Sequence, residues 1–262
     1  YKAIDVLASY DTFSTFDVYD GKIYTNDGTS IQVFDLATEE VLESYPTPAD
    51  YAAYPSFLSV TPTGDKIYAG FTVYGNSDDR IYTLNLENET WEHIATLAGN
   101  FDLDFTGSNP VVSGAVYGEE NVVYLLDETG GNNHLELIET GGNSAGIAFD
   151  SNGNLYFASA AYADNQLLRW NAEDLNELIS GETTEPLTIT DATVLSDMAQ
   201  GAYDVEVDSY GNVIFNINDY SAEKQIALWN GTEGSGTNYD VIATTDGDYD
   251  WFTMVKSQGN LQ

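Results

Sequence analysis

The chain has 262 residues, enough for a full core in one all-β or α/β domain. Asp and Glu number 43 against 7 Lys and Arg, a formal net charge of −36. That balance excludes a nonspecific nucleic-acid surface and disfavours docking or insertion at an anionic membrane, because both need clustered cations or long apolar runs. The chain is 42% hydrophobic and 13% aromatic, so its charge reads as a solvated skin on an ordinary core rather than as acidic disorder. It has no Cys, which removes disulfides, thiolate metal sites and Cys nucleophiles.

Taken along the chain, residues 4–10 alternate as a strand with no partner before them. Phe16-Asp17-Val18-Tyr19, the turn Asp20-Gly21 and Lys22-Ile23-Tyr24 then read as a hairpin. Gly beside Asp or Asn supplies the positive φ that a tight hairpin needs. Further strands follow at 30–36 and 40–45. The hairpin signal returns at Thr63-Gly64-Asp65-Lys66-Ile67-Tyr68, with later strands at 80–86 and 91–97. A looser copy is Gly118-Glu119-Glu120-Asn121-Val122-Val123-Tyr124, in a compact third unit. Asp150-Ser151-Asn152-Gly153-Asn154-Leu155-Tyr156 opens a fourth, with a strand at 166–171, a helix at 172–179 and an outer strand at 187–190. Asp208-Ser209-Tyr210-Gly211-Asn212-Val213-Ile214 opens a fifth, with strands at 225–230 and 239–244. Residues 251–255 read as a first strand before a last turn at Gln258-Gly259-Asn260.

Six hairpins, centred near 21, 64, 119, 153, 211 and 259, recur at about 48 residues, near the length of one four-stranded propeller blade. The expected fold is therefore all-β: one β-propeller over 1–262, with six blades of mostly four strands. The strand at 4–10 completes the last blade. That blade reads as incomplete at Gln262, and Tyr1 in place of Met reads as a processed or cut start.

In such a ring, the connection from one blade's outer strand to the next blade's inner strand returns to the axis, where functional loops gather. Here those connections carry acid, amide and aromatic residues. The expected ligand-binding set is Phe13, Tyr51, Tyr54, Asp104, Asn109, Asn143, Tyr203, Asp204 and Trp251. Aromatic faces beside carboxylates suit a sugar or a flat polar ligand, although blade-to-blade packing uses the same residues. Asp246, Asp248 and Asp250, at i, i+2 and i+4, are the sharpest metal signal and suit calcium. Asp102 and Asp104 are a weaker pair, and Asp78 with Asp79 reads as a plain hairpin tip. His93 and His134 have no ligand partner by spacing, which argues against a zinc site or a hydrolytic triad. Arg80 and Arg169 are expected to pair with neighbouring carboxylates.

The Asp-Ser-x-Gly-Asn-[Leu/Val] turns resemble those of bacterial exported propellers of the YVTN, NHL and quinoprotein-like superfamily. The resemblance implies an extracellular, cell-surface or periplasmic location and a binding or scaffold role toward a ligand, a polymer or a surface protein. No catalytic residue is assigned on this reading. A second implication, through six-bladed gluconolactonase-like enzymes, is a calcium-dependent lactone or ester hydrolase, with Asp50, Asp104, Asn109, Asn143, Asp204 and Asp250 converging on an axial ion. The Glu that opens that family's pattern has no counterpart at 13–18. A quinone-dependent dehydrogenase is a third class, weakened by the scarcity of basic residues.

Overall fold

The structure is a computed structural model and describes residues 15–48, 54–73, 78–115, 119–160, 165–217 and 224–245. These residues form a single β-propeller of antiparallel blades. Blade one is β1 (Thr15–Tyr19), β2 (Lys22–Asn26), β3 (Ser30–Asp35) and β4 (Val41–Pro46). Blade two is β5 (Tyr54–Val60), β6 (Lys66–Thr72), β7 (Arg80–Asn85) and β8 (Thr90–Thr96). Blade three is β9 (Asn100–Thr106), β10 (Asn109–Gly114), β11 (Val122–Leu125) and β12 (Leu135–Glu139). Blade four is β13 (Ile147–Phe149), β14 (Leu155–Ala158), β15 (Gln166–Trp170) and, beyond the helix α1 (Ala172–Ser180) and the short strand β16 (Leu187–Thr188), β17 (Thr193–Asp197). Blade five is β18 (Val205–Val207), β19 (Val213–Ile217), β20 (Lys224–Trp229) and β21 (Tyr239–Thr245).

The blades number five among the described residues, not the six expected. The segments expected to build a sixth, 4–10 and 251–262, lie outside the described residues. The hairpin expected near 119 is also displaced. Residues 115–121 link β10 to β11, while the opening hairpin of blade three turns at Gly107 (φ 64°). The acid-rich run 101–105, whose Asp104 is expected in a mouth connection, is inner strand β9. Asp is tolerated in that strand because the next blade's N–H groups satisfy its carboxylates. With this correction Ile23, Ile67, Val111 and Leu155 follow one another at intervals of 44 residues. The compact third unit has all four strands, and β16 pairs parallel to its β12. The outer strand of blade four is thus β17, not residues 187–190.

The Asp-Ser-x-Gly-Asn turns owe their recurrence to one device. Asp150 Oδ1 accepts the N–H groups of Asn152 and Asn154, both at 2.9 Å, and Asp208 Oδ1 accepts those of Tyr210 and Asn212 at 2.9 and 2.8 Å. Gly153 and Gly211 take the left-handed φ (85° and 80°) that closes each turn.

Four apolar clusters each span two consecutive blades. The side chains alternate along every strand, so one face of a blade meets its predecessor and the other its successor. Leu58, Val60, Ile67 and Leu84 of blade two face blade one and are at most 6% exposed. Their register equivalents in blade one, Phe16, Val18, Ile23 and Phe34, remain half-buried. On blade five the outward Ile226 is likewise half-buried, whereas its equivalents Ile81 and Leu167 are sealed. Among the described residues no cluster joins blade five to blade one.

Candidate functional site

Antiparallel blades place two kinds of connection on one face of the ring: outer strand to next inner strand, and second strand to third. A repeated polar clamp binds them there. The carbonyls of Thr29, Asp79, Asn121 and Asn165, each shortly before a third strand, accept the N–H groups of Thr47, Leu97, Thr140 and Met198 at 2.8–3.1 Å. Asp79 is 1% exposed. Its carboxylate accepts from Thr72 Oγ1 (2.8 Å), Val73 N (2.7 Å) and Gly99 N (2.8 Å). It is a buried anchor rather than the hairpin tip expected. Its signal in the sequence was an Asp or Asn just before the third strand, shared with Asn121 and Asn165.

Nearer the axis, inner strands are tied to one another through side chains. Asp17 Oδ2 accepts Val60 N at 2.7 Å, and Ser59 Oγ donates to Leu103 O at 2.6 Å. Asp102 Oδ2 accepts Ile147 N at 2.9 Å, and Asp104 Oδ2 accepts Phe149 N at 2.6 Å. Asp104 Oδ1 also accepts its neighbour Phe105 N at 2.7 Å. A charged acceptor on a buried N–H is among the stronger hydrogen bonds of a fold. Asp204 approaches Gly146, the residue just before β13, from the side of blade five. A Cβ on Gly146 would stand 3.0 Å from Asp204 Oδ1 and 2.8 Å from its Cα. Gly146 N donates to Tyr203 O at 2.8 Å, so only glycine allows this approach.

The expected site residues therefore separate. Asp102 and Asp104, expected as a metal pair, clamp the backbone of the following blade. Tyr203 packs against the cluster of blades three and four and holds blade five by its backbone N–H on Asn216 Oδ1 (2.7 Å). Asn109 is a correction: it is exposed at the β9–β10 hairpin, on the face opposite the mouth, because β9 runs the full depth of the blade. Asn143 lies in the β12–β13 connection, where Nδ2 donates to Ala160 O at 2.8 Å. Tyr54 opens β5 at the mouth with 62% of its surface exposed. Phe13, Asp50, Tyr51, Asp246, Asp248, Asp250 and Trp251 lie outside the described residues.

Among the described residues no three His, Cys, Asp or Glu side chains gather as metal ligands. Of the six residues expected to converge on an axial ion, Asp104, Asn109, Asn143 and Asp204 are described. Asp104 holds backbone on both oxygens, and Asn109 is on the wrong face. Arg80 and Arg169 pair with Asp78 (3.2 Å) and Glu233 (3.0 Å), as expected. No helix among the described residues is long and apolar enough to cross a membrane.

The chain is thus a β-propeller, and known structures bear out the fold. A protein from Agrobacterium tumefaciens described as a TolB matches over 92% of this chain and 84% of its own, with TM-score 0.64 and 15% identity. The PQQ-bound aldose sugar dehydrogenase of Streptomyces coelicolor matches over 98% and 88%, with TM-score 0.63 and 13% identity. The calcium-binding protein regucalcin of A. tumefaciens matches over 96% and 80%, with TM-score 0.61 and 16% identity. A nidogen/laminin complex gives TM-score 0.61 at 14% identity, over 93% and 82%. No family model and no curated protein sequence matches. Likeness at these identities establishes fold alone.

Proposed function

We propose that this chain is a binding and scaffold propeller that acts at a cell surface, in the surrounding medium or in the periplasm. Its mouth holds a small ligand, a polymer or a protein partner. The observation that carries this reading is the use of the axial carboxylates. Asp102 and Asp104 hold the backbone of the following blade and so serve the scaffold. Tyr54 and Asn143 then offer an aromatic face and an amide at the rim. The acidic skin suits a saline or calcium-containing medium, and a similar propeller has been solved in a nidogen/laminin complex.

The hydrolase reading draws support from the likeness to regucalcin, described as a calcium-binding protein. It is weakened by the division of the expected axial ligands between two faces. Calcium is assigned by spacing alone to Asp246, Asp248 and Asp250. The test is retention of a panel of soluble polysaccharides and exported proteins on the immobilised chain. Tyr54→Ala is expected to lower retention with an unchanged melting temperature, and Asn143→Ala to lower it with a small drop in melting temperature from the lost bond to Ala160 O. Calcium-dependent turnover of a lactone, abolished by Asp104→Asn in a chain that still melts normally, would overturn the reading.

A further inference from the structure

The outer strand of a blade presents a row of backbone groups to solvent, and such edges invite pairing. This chain covers three of them by one recurrent device: the connection between a blade's third and fourth strands reaches back over the edge of the preceding blade. For blade two, Gly130 N donates to Ile94 O (2.7 Å), Thr96 N donates to Gly131 O (2.9 Å) and His134 Nε2 bonds Thr96 O (2.9 Å). For blade three the cover is β16, which pairs Leu187 and Thr188 with Ile138 and Glu139. For blade four, Gly234 N donates to Val194 O (2.8 Å) and Asp197 N to Gly236 O (2.9 Å).

Blade one is treated differently. The connection that should cover it, 86–89, is a short turn, and the Trp91 indole reaches only Pro46 O at the end of β4 (2.8 Å). Among the described residues nothing pairs with the outer side of β4 from Val41 to Tyr45. The strand is exposed at every position but Tyr45, with Val41 58% and Leu42 46% exposed between Glu39, Glu40 and Glu43.

We infer that β4 is a docking edge for an extended segment of another protein that alternates basic and apolar residues and adds to blade one as a further strand. Backbone bonds would supply the pairing, Val41 and Leu42 an apolar contact, and the three glutamates the selection. The same glutamates act against a second copy of this chain, since self-pairing sets acid against acid across the strands. This site lies on the rim of the ring, apart from the mouth, so it stands or falls separately from the proposed function.

The probe is a synthetic octapeptide of alternating lysine and valine, added to the full chain. Amide hydrogen exchange should show new protection at residues 41–45. A peptide N-methylated along one backbone edge keeps the charge but should bind about tenfold more weakly, as should the unmethylated peptide to Glu40→Lys/Glu43→Lys. A glutamate–valine octapeptide should leave the wild-type chain unprotected. The inference is overturned if protection falls elsewhere, if N-methylation has no effect, or if 41–45 is already protected in the free chain, whether by its own terminal segments or by a second copy in sedimentation.

Discussion

At the scale of the residue, carboxylates in this protein divide by what they accept. Asp150 is partly buried, and burial alone would raise its pKa. The N–H groups of Asn152 and Asn154 and the Asn154 amide outweigh that and hold it below its ordinary value of 3.8. A depressed folded-state pKa adds stability that is fully present above the unfolded value and is lost as pH falls through the folded one. Asp150→Asn should therefore lower stability at neutral pH, and its deficit against wild type should shrink as pH falls below about 4. Urea denaturation across that range measures it, and a deficit independent of pH would contradict the role given to the charge. Tyr24 is the opposite case. Burial first, then the charge of Glu43, pushes its hydroxyl up to about 12, so its neutral form is built into the interface of blades one and two.

At the scale of the element, Ile67 and Ile23 occupy the same register on β6 and β2. Ile67 is sealed against blade one, whereas Ile23 is half-buried on a face that meets no blade among the described residues. Ile67→Ala should cost about 3 kcal/mol, within the usual range for a buried aliphatic truncation, and Ile23→Ala about half of that. Equal losses in chemical denaturation would mean that the face around Ile23 is covered in the whole molecule. The same comparison marks what was legible in the sequence. Turn chemistry and alternation place the hairpins at 21, 64, 153 and 211, because Gly and Asp are required there by backbone geometry. They misplace the third, because the acids of 101–105 look like a loop until the neighbouring blade supplies their donors. The mouth is half legible for the same reason. Tyr54 and Asn143 fall where the topology expects them. Asp102 and Asp104 are explained only by Ile147 and Phe149, more than forty residues away, and no local pattern announces such a partner.

At the scale of the whole molecule, a charge of −36 on 262 residues opposes compaction through self-repulsion. Among the described residues two ion pairs are formed, by Arg80 and Arg169, so little of that charge is neutralised in place. Raising potassium chloride from about 0.05 M to about 1 M, which shortens the screening length to roughly 3 Å, should raise the melting temperature by several degrees. A flat or falling trend would mean that the acids are already balanced by bound cations or by local hydrogen bonds such as those of Asp150.

The backward reach of the Gly130, Leu187 and Gly234 segments gives the ring a direction, like overlapping roof tiles. Each is laid by a later stretch of chain over an earlier one. On a ribosome, blade two would stay open at its rim until the 127–134 loop had emerged, and blade four until 230–238 had done so. Losing blade five would strip the cover from blade four, whereas losing blade one would uncover no other rim.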